Sequence, residues 1–216
     1  MKRTILTILA AAILLVGCAS FSSCASKAPK VEEIYDRVVE LVEASHEVNT
    51  VFYGAGLPVY AEDSLYAEFS HMYYNFKYKG SYEMVTDYSK FLTVGDIKHA
   101  AEQVYSTEYL KDVLYPAAFE GYAVQGINGM QVSKARYLED DSWIYQAISE
   151  ESRYSGMIVY DYSTMKIVAP SNDKACFVTM DAHGENTPDK ITNIKLRLVK
   201  QSDGLWYLDS FTGGAV

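Results

Sequence analysis

The sequence predicts an α+β protein, in which helices come first and an antiparallel sheet follows. In the N-terminal half, apolar residues recur every three or four positions, which is the spacing of amphipathic helices. Beyond Gly121 they recur every second position, and short polar turns separate the alternating segments. A doubly wound parallel sheet would alternate strands with helices, so this order of elements favours α+β.

The first predicted helix covers residues 29–50. Pro29 suits its first turn, and acidic side chains near its start favour the positive end of the helix dipole. The apolar stripe that we expect to face the core comprises Val31, Ile34, Val38, Leu41, Val42, Ser45 and Val48.

The segment after this helix carries strong turn signals. Gly54, Gly56 and Pro58 interrupt the helical pattern and predict a loop with aromatic flanks at residues 51–60. Residues 63–78 match both a helix and one face of a strand, so the sequence leaves these two assignments open.

Two more helices are predicted from their capping residues. Thr93 is a suitable N-cap, and Asp96 three residues later completes a capping box. Ser106 caps a shorter helix, which Pro116 is expected to end. The residues expected to point inward are Val94, Ile97, Ala101, Val104 and Tyr105 in the longer helix, and Tyr109, Leu110, Val113 and Leu114 in the shorter one.

Short alternating segments predict the strands of the sheet. Residues 136–138 and 143–145 flank the polar sequence Asp-Asp-Ser, which predicts a hairpin. A second hairpin is predicted from residues 157–160 and 165–169. The other predicted strands cover residues 82–86, 175–180, 194–198 and 205–211.

Residues 1–17 are predicted to be a lipoprotein signal peptide. Two basic residues precede an apolar run of about a dozen residues, which is shorter than the ~20 residues that a membrane-spanning helix needs. The sequence Leu-Val-Gly-Cys that ends at Cys18 resembles the bacterial lipobox. This resemblance implies that Cys18 carries a diacylglyceryl group with acyl chains such as palmitate. These chains would anchor the protein on the extracytoplasmic face of the cell membrane. The alternative is cleavage by an ordinary signal peptidase near Ala25.

The remaining chain divides into a tether and a domain. Residues 18–30 are rich in serine and alanine and predict a flexible tether, and residues 31–216 are predicted to form a single α+β domain. Cys24 lies in the tether. Cys176 lies in an apolar strand-like run and is expected to be buried, with a Cys24–Cys176 disulfide as the alternative.

Composition and motifs exclude several classes of function. The net charge of −9, with no cluster of basic residues, argues against nucleic-acid binding. The chain has no phosphate loop, no metal-ligand spacing and no nucleophile elbow, so we expect no cofactor, no metal and no catalytic residue. The acidic residues 139–141 are expected to form a solvated turn rather than a cation site, and His46 is expected to be solvated.

The chain contains 19 tyrosines, which suit sheet faces and contact surfaces alike. The candidate binding surface for sugar rings or peptide comprises Tyr53, Tyr137, Trp143 and Tyr145. The alternative for the last three is cross-strand packing inside the sheet.

Four short segments carry a resemblance to a known family. Residues 91–98 (FLTVGDIK), 104–109 (VYSTEY), 135–138 (ARYL) and 204–212 (GLWYLDSFT) resemble secreted proteins of Gram-positive bacteria related to the IseA-type DL-endopeptidase inhibitors. The closing segment is also similar to that of NTF2-like domains. The resemblance implies a curved sheet wrapped around helices with a cone-shaped pocket, and a non-enzymatic protein that blocks peptidoglycan hydrolases. It assigns no inhibitory residue in this chain.

Together these observations predict a membrane-anchored, non-enzymatic protein that binds an envelope protein or a cell-wall component. A small-ligand domain, with a tyrosine-lined pocket in the curved sheet, is the alternative. A hydrolase whose catalytic residues converge only in the folded protein is a third, less favoured hypothesis.

Overall fold

The structure is a computed structural model that describes residues 27–60, 81–126, 129–140, 142–148 and 158–213. It confirms the α+β class, because the described residues form helices and antiparallel sheets. The predicted signal peptide, Cys18, Cys24 and the ambiguous residues 63–78 lie outside the described residues.

Helix α1 (Val31–Tyr53) is the long central helix and confirms the first prediction. It begins after Pro29, and the backbone N–H of Lys30 donates to the Glu33 carboxylate at 3.0 Å. The helix continues three residues beyond the predicted end, because Val51 and Phe52 are buried and their packing extends it as far as Gly54. The predicted stripe is buried apart from the half-buried Val31.

The capping residues of the next two helices are also confirmed. Thr93 caps α2 (Val94–Glu102) by accepting from the backbone N–H of Asp96, and Ser106 caps α3 (Thr107–Tyr109). Inward packing agrees at Ile97, Ala101, Val104, Tyr105, Leu110 and Leu114, whereas Val94 and Tyr109 are half-buried and Val113 is exposed.

Pro116 does not end the third helix, so that prediction was wrong. The chain continues beyond α3 in wider π-helical turns over Leu110–Leu114 and Pro116–Glu120. A proline inside a helix removes one backbone hydrogen bond and crowds the preceding turn, and the wider turns on both sides of Pro116 accommodate it. Leu110, Leu114 and Ala118 keep the segment packed on the core until Gly121, whose φ is +71°.

The strands of the described residues form three antiparallel sheets. The three-stranded sheet has the order β1-β5-β4, the two-stranded sheet pairs β2 with β3, and the four-stranded sheet has the order β6-β7-β8-β9. Their bounds are Tyr82–Met84 (β1), Tyr122–Gly126 (β2), Gly129–Ser133 (β3), Tyr137–Asp140 (β4), Trp143–Ala147 (β5), Ile158–Val168 (β6), Ala175–Gly184 (β7), Thr187–Lys200 (β8) and Trp206–Leu208 (β9).

The β4–β5 hairpin is confirmed, but the second predicted hairpin is a single strand. β6 passes through the expected turn with a register shift between Asp161 and Lys166. There the Asp161 carboxylate accepts from the Ser163 hydroxyl at 2.6 Å, and the Thr164 hydroxyl accepts from the backbone of Asp181 on β7 at 2.8 Å. These bonds satisfy the polar groups within a bulge, so the strand need not reverse.

The β7–β8 pair sets the long axis of the four-stranded sheet. Ala175 pairs with Val199 at one end, and Gly184 pairs with Thr187 at the other. The ten residues of β7 span about 33 Å. Near the second end the pairing is irregular. Ala182 pairs with Thr192 and Gly184 pairs with Thr187, so four residues of β8, 188–191, lie opposite one residue of β7, His183. We call this second end the tip.

The core lies between α1 and the four-stranded sheet. Side chains of Ile34, Val38, Leu41 and Val42 pack in one buried cluster with Cys176, Val178, Met180, Leu196, Leu198 and Leu208. The Arg37 side chain donates to the carbonyl oxygen of Trp206 at 3.0 Å, and the Tyr162 hydroxyl donates to Glu43 at 2.6 Å. In the described part of the chain, no helix is both long enough and apolar enough to cross a membrane.

Candidate functional site

The structure separates the predicted aromatic surface. Tyr137 is 1% exposed, and its hydroxyl donates to the carbonyl oxygen of Val51 at 2.7 Å. Tyr137 is opposite Gln146 in the sheet, so its side chain lies on the other face from Trp143 and Tyr145. Tyr145 is buried and Trp143 is half-buried. The arrangement corresponds to the packing alternative.

Tyr53, the fourth predicted residue, lies at the end of α1. Its ring meets Phe211 edge to face, with 4.9 Å between ring centroids. The side chain is half-buried and faces the C-terminal segment rather than the β4–β5 hairpin.

The loop after α1 is held by the β4–β5 hairpin. The Arg136 guanidinium donates to the carbonyl oxygens of Val51 at 2.8 Å and Gly54 at 2.5 Å, which satisfies the open C-terminal end of the helix. The Gln146 amide accepts from the backbone N–H of Leu57 at 2.6 Å. The predicted loop at residues 51–60 therefore begins at Gly54, and several of its backbone polar groups bond to protein partners.

A buried polar cluster joins α1 to the C-terminal segment. The Asn49 side chain donates to the Thr212 hydroxyl and accepts from the Tyr105 hydroxyl, both at 2.6 Å. The Ser45 hydroxyl donates to the carbonyl oxygen of Val42 at 2.6 Å, so the Thr212 hydroxyl donates to Ser45. The Tyr160 hydroxyl bonds the Thr212 carbonyl oxygen. Burial raises the pKa of Tyr105.

The hydroxyls of this cluster bond to one another, to an amide and to backbone carbonyl oxygens. A nucleophile needs a histidine or carboxylate partner, which these hydrogen bonds do not supply. Cys176 is a free, buried thiol, and burial raises its pKa to about 12. Among the described residues, no group of three histidine, cysteine or acidic side chains is placed to hold a metal ion.

His46 and Glu139, which the sequence predicts to be solvated, both contact other parts of the protein. His46 is half-buried rather than fully solvated, and burial lowers its pKa. The Glu139 carboxylate accepts from the backbone N–H of Val94 at 2.9 Å, so this acid contacts the first turn of α2.

A pocket of about 290 Å³ opens where the chain leads into α1. We call it the root pocket. Its charged and aromatic lining comprises Lys27, Lys30, Glu33, Asp173, Lys200 and Trp206. Lys200 pairs with Trp206 across β8 and β9, beside the Ala175–Val199 end of the β7–β8 pair. The root pocket and the tip therefore lie at opposite ends of the four-stranded sheet.

The tip carries an exposed surface, which we define as residues 185–193. Apart from the half-buried Thr187, these residues are exposed, and Ile191 is 68% exposed. Acidic, basic and amide side chains surround this isoleucine in the sequence. An isolated β-branched residue in a polar turn segment is the sequence signal for this surface. The root pocket has no local signal, because three distant segments form it.

The fold and these two surfaces define an α+β protein with a charged pocket at one end and an exposed hairpin at the other. No protein-family model, no curated protein and no solved structure matches the chain.

Proposed function

We propose that this protein is a lipid-anchored, non-enzymatic protein of the extracytoplasmic membrane face that binds an envelope protein or a cell-wall component. The observation that carries the proposal is the placement of the root pocket and the tip at opposite ends of the sheet. An anchor at one end leaves the other end for a partner.

The chain length before the domain sets the distance from the membrane. Lys27, in the root pocket, follows Cys18 by nine residues. A chain of that length reaches at most about 30 Å. If Cys18 carries the lipid, the root lies near the membrane and the tip can extend about 33 Å further away.

The tip surface has the chemistry of a protein or wall contact. An exposed isoleucine among polar side chains offers an apolar anchor with a hydrogen-bonding rim. The described tyrosines do not favour the small-ligand alternative. Tyr105, Tyr137 and Tyr160 are buried, and their hydroxyls bond to protein groups.

The same proposal includes the finer fold assignment, an IseA-like or NTF2-like curved sheet, and inhibition of a peptidoglycan hydrolase as the specific activity. The order of elements supports the assignment. The resembling segments contain the caps Thr93 and Ser106 and the strand Trp206–Leu208, which are structural positions. They support a shared fold more than a shared inhibitory surface.

Intact-mass analysis tests the anchor. We expect the mature protein to begin at Cys18 and to carry acyl chains, and the Cys18→Ser protein to lose them and leave the membrane fraction. A mature N-terminus downstream of Cys18 would overturn the anchoring proposal.

Site-specific photo-crosslinking in intact cells tests the partner surface. A photoreactive amino acid replaces Ile191 in one full-length protein and Tyr88, which is 73% exposed in another loop, in the matched control. We expect a discrete cross-linked species from position 191 and none from position 88. Absence of a species at 191, or the same species at both positions, would contradict the proposal.

A further inference from the structure

We propose that the root pocket binds the phosphate-bearing headgroups of anionic phospholipids, so that the domain rests on the membrane with the tip directed outwards. The inference rests on the proposed lipid anchor at Cys18 and adds a second, non-covalent contact to it.

The first support is the charge of the pocket. Lys27, Lys30 and Lys200 line it, and none of them forms an ion pair with another described residue. Two acids, Glu33 and Asp173, also line it. The Glu33 carboxylate is engaged by the backbone N–H of Lys30. In a chain with a net charge of −9, three unpaired ammonium groups around one pocket favour an anionic partner.

A fourth cation lies beside the pocket. The backbone N–H of Lys200 donates to the carbonyl oxygen of Lys174 at 2.7 Å, and the Lys174 side chain is exposed. The buried Trp206 gives the pocket an aromatic wall, and the Lys200 ammonium lies 5.9 Å from its ring centroid. A tryptophan ring with a lysine ammonium beside it suits the boundary between headgroups and water.

The second support is the point at which the chain enters the domain. If residues 18–26 form the flexible tether that the sequence predicts, their typical end-to-end distance is about 17 Å, which is short enough for the pocket to reach the layer of about 8 Å in which the surface charge acts. The pocket is therefore held close to the surface that carries the lipid. Each lysine near an anionic surface strengthens binding by about fivefold, and the anchor raises the local lipid concentration further.

Fluorescence quenching in vesicles tests this contact. The chain has two tryptophans, so the lipidated mature protein with Trp143→Phe reports on Trp206 alone. It is reconstituted into vesicles that contain nitroxide-labelled headgroups, with either phosphatidylcholine alone or added phosphatidylglycerol. We expect stronger quenching in the phosphatidylglycerol vesicles and a decrease of this difference as salt is added.

Two triple variants supply the comparison. Lys27→Gln, Lys30→Gln and Lys200→Gln together should abolish the difference between the two lipids. Lys111→Gln, Lys166→Gln and Lys195→Gln change the net charge equally at exposed positions outside the pocket and should preserve it. Equal quenching in both lipids, or equal losses in both variants, would overturn the inference.

Flotation of the same vesicles separates this inference from the proposed function. Protein that floats in both lipids without lipid-dependent quenching retains its anchor and overturns the headgroup contact alone. Protein that floats in neither lipid overturns the anchor. Loss of quenching with inorganic phosphate, but not with chloride of the same ionic strength, would assign the pocket to free phosphate and overturn the membrane contact.

Discussion

Asn49 of α1 donates a hydrogen bond from Nδ2 to Oγ1 of Thr212, which lies 163 residues later in the sequence, at 2.6 Å. Both side chains are buried, and the Thr212 hydroxyl donates a hydrogen bond to Oγ of Ser45. The C-terminal segment is thereby fixed to the C-terminal half of the central helix. An exposed pair of the same length would contribute far less, because water would replace either partner.

Thr212→Val should destabilise the fold by about 2 kcal/mol. The valine keeps the size of the side chain but leaves the amide of Asn49 and the hydroxyl of Ser45 without this partner. Thermal unfolding should show a decrease in Tm of roughly 4–8 °C for a chain of this size. Thr212→Ser retains the hydroxyl and should lose less than half as much; equal losses would show that the hydrogen bonds contribute little.

Gly56→Ala should destabilise the protein more than Gly204→Ala. Both glycines have a positive φ, +83° and +85°, so both alanines carry a backbone cost of about 1 kcal/mol. At Gly56 the added Cβ would also lie 2.0 Å from Oε1 of Gln146, whereas at Gly204 it meets open space. Urea denaturation of the two variants gives the comparison, and equal free energies of unfolding would show that Gln146 moves aside at no cost.

Protonation of His46 should destabilise the fold. Burial lowers the pKa of His46 below its usual 6.5 in the folded protein, against an opposing effect of Glu43. The unfolded chain therefore binds this proton more tightly, so stability is retained above pH 6.5 and decreases as the pH falls through 6.5 towards the lowered pKa. Unfolding measured across this range should show a shallower pH dependence in His46→Gln.

His99→Gln is the matched control for that measurement, since His99 is exposed on α2. The pH dependence should be shallower in His46→Gln than in His99→Gln. A His46→Gln protein with an unchanged pH dependence would contradict the assignment of the effect to His46.

Cys176 should resist alkylation in the folded protein. Its thiol is buried, and a pKa of about 12 leaves almost no thiolate near neutral pH. Iodoacetamide at about pH 8 should modify Cys176 only after denaturation, as peptide mapping would show. Rapid modification of the native protein would mean that the strand opens readily.

Local patterns predicted those elements whose causes are local. The apolar stripe of α1 and the caps Thr93 and Ser106 depend on residues within a turn or two, and the structure confirms them. Pro116 misled the prediction because buried contacts at Leu114 and Ala118 stabilise the chain beyond it. The single strand β6 likewise depends on a hydrogen bond that the backbone N–H of the distant Asp181 donates to the Thr164 hydroxyl.

The candidate surfaces were harder to predict, because they depend on strand register and on long-range contacts. Tyr137 and Tyr145 alternate correctly for strands, but their pairing places them on opposite sheet faces. Lys27 and Lys200 meet at one pocket although they are far apart in the sequence. The spacing of residues within one segment predicts neither the sheet faces of the tyrosines nor the meeting of the two lysines.

The register skip at residues 188–191 has a consequence for how any partner would be recognised. A straight strand edge attracts other strands through its repeating backbone groups, with little regard for sequence. Four residues opposite one position break that repeat, so the hairpin end is a poor template for fibrils or for strand exchange between copies. Recognition of a partner at the tip would therefore depend on shape and side-chain chemistry, and a single substitution such as Ile191→Asp would remove it.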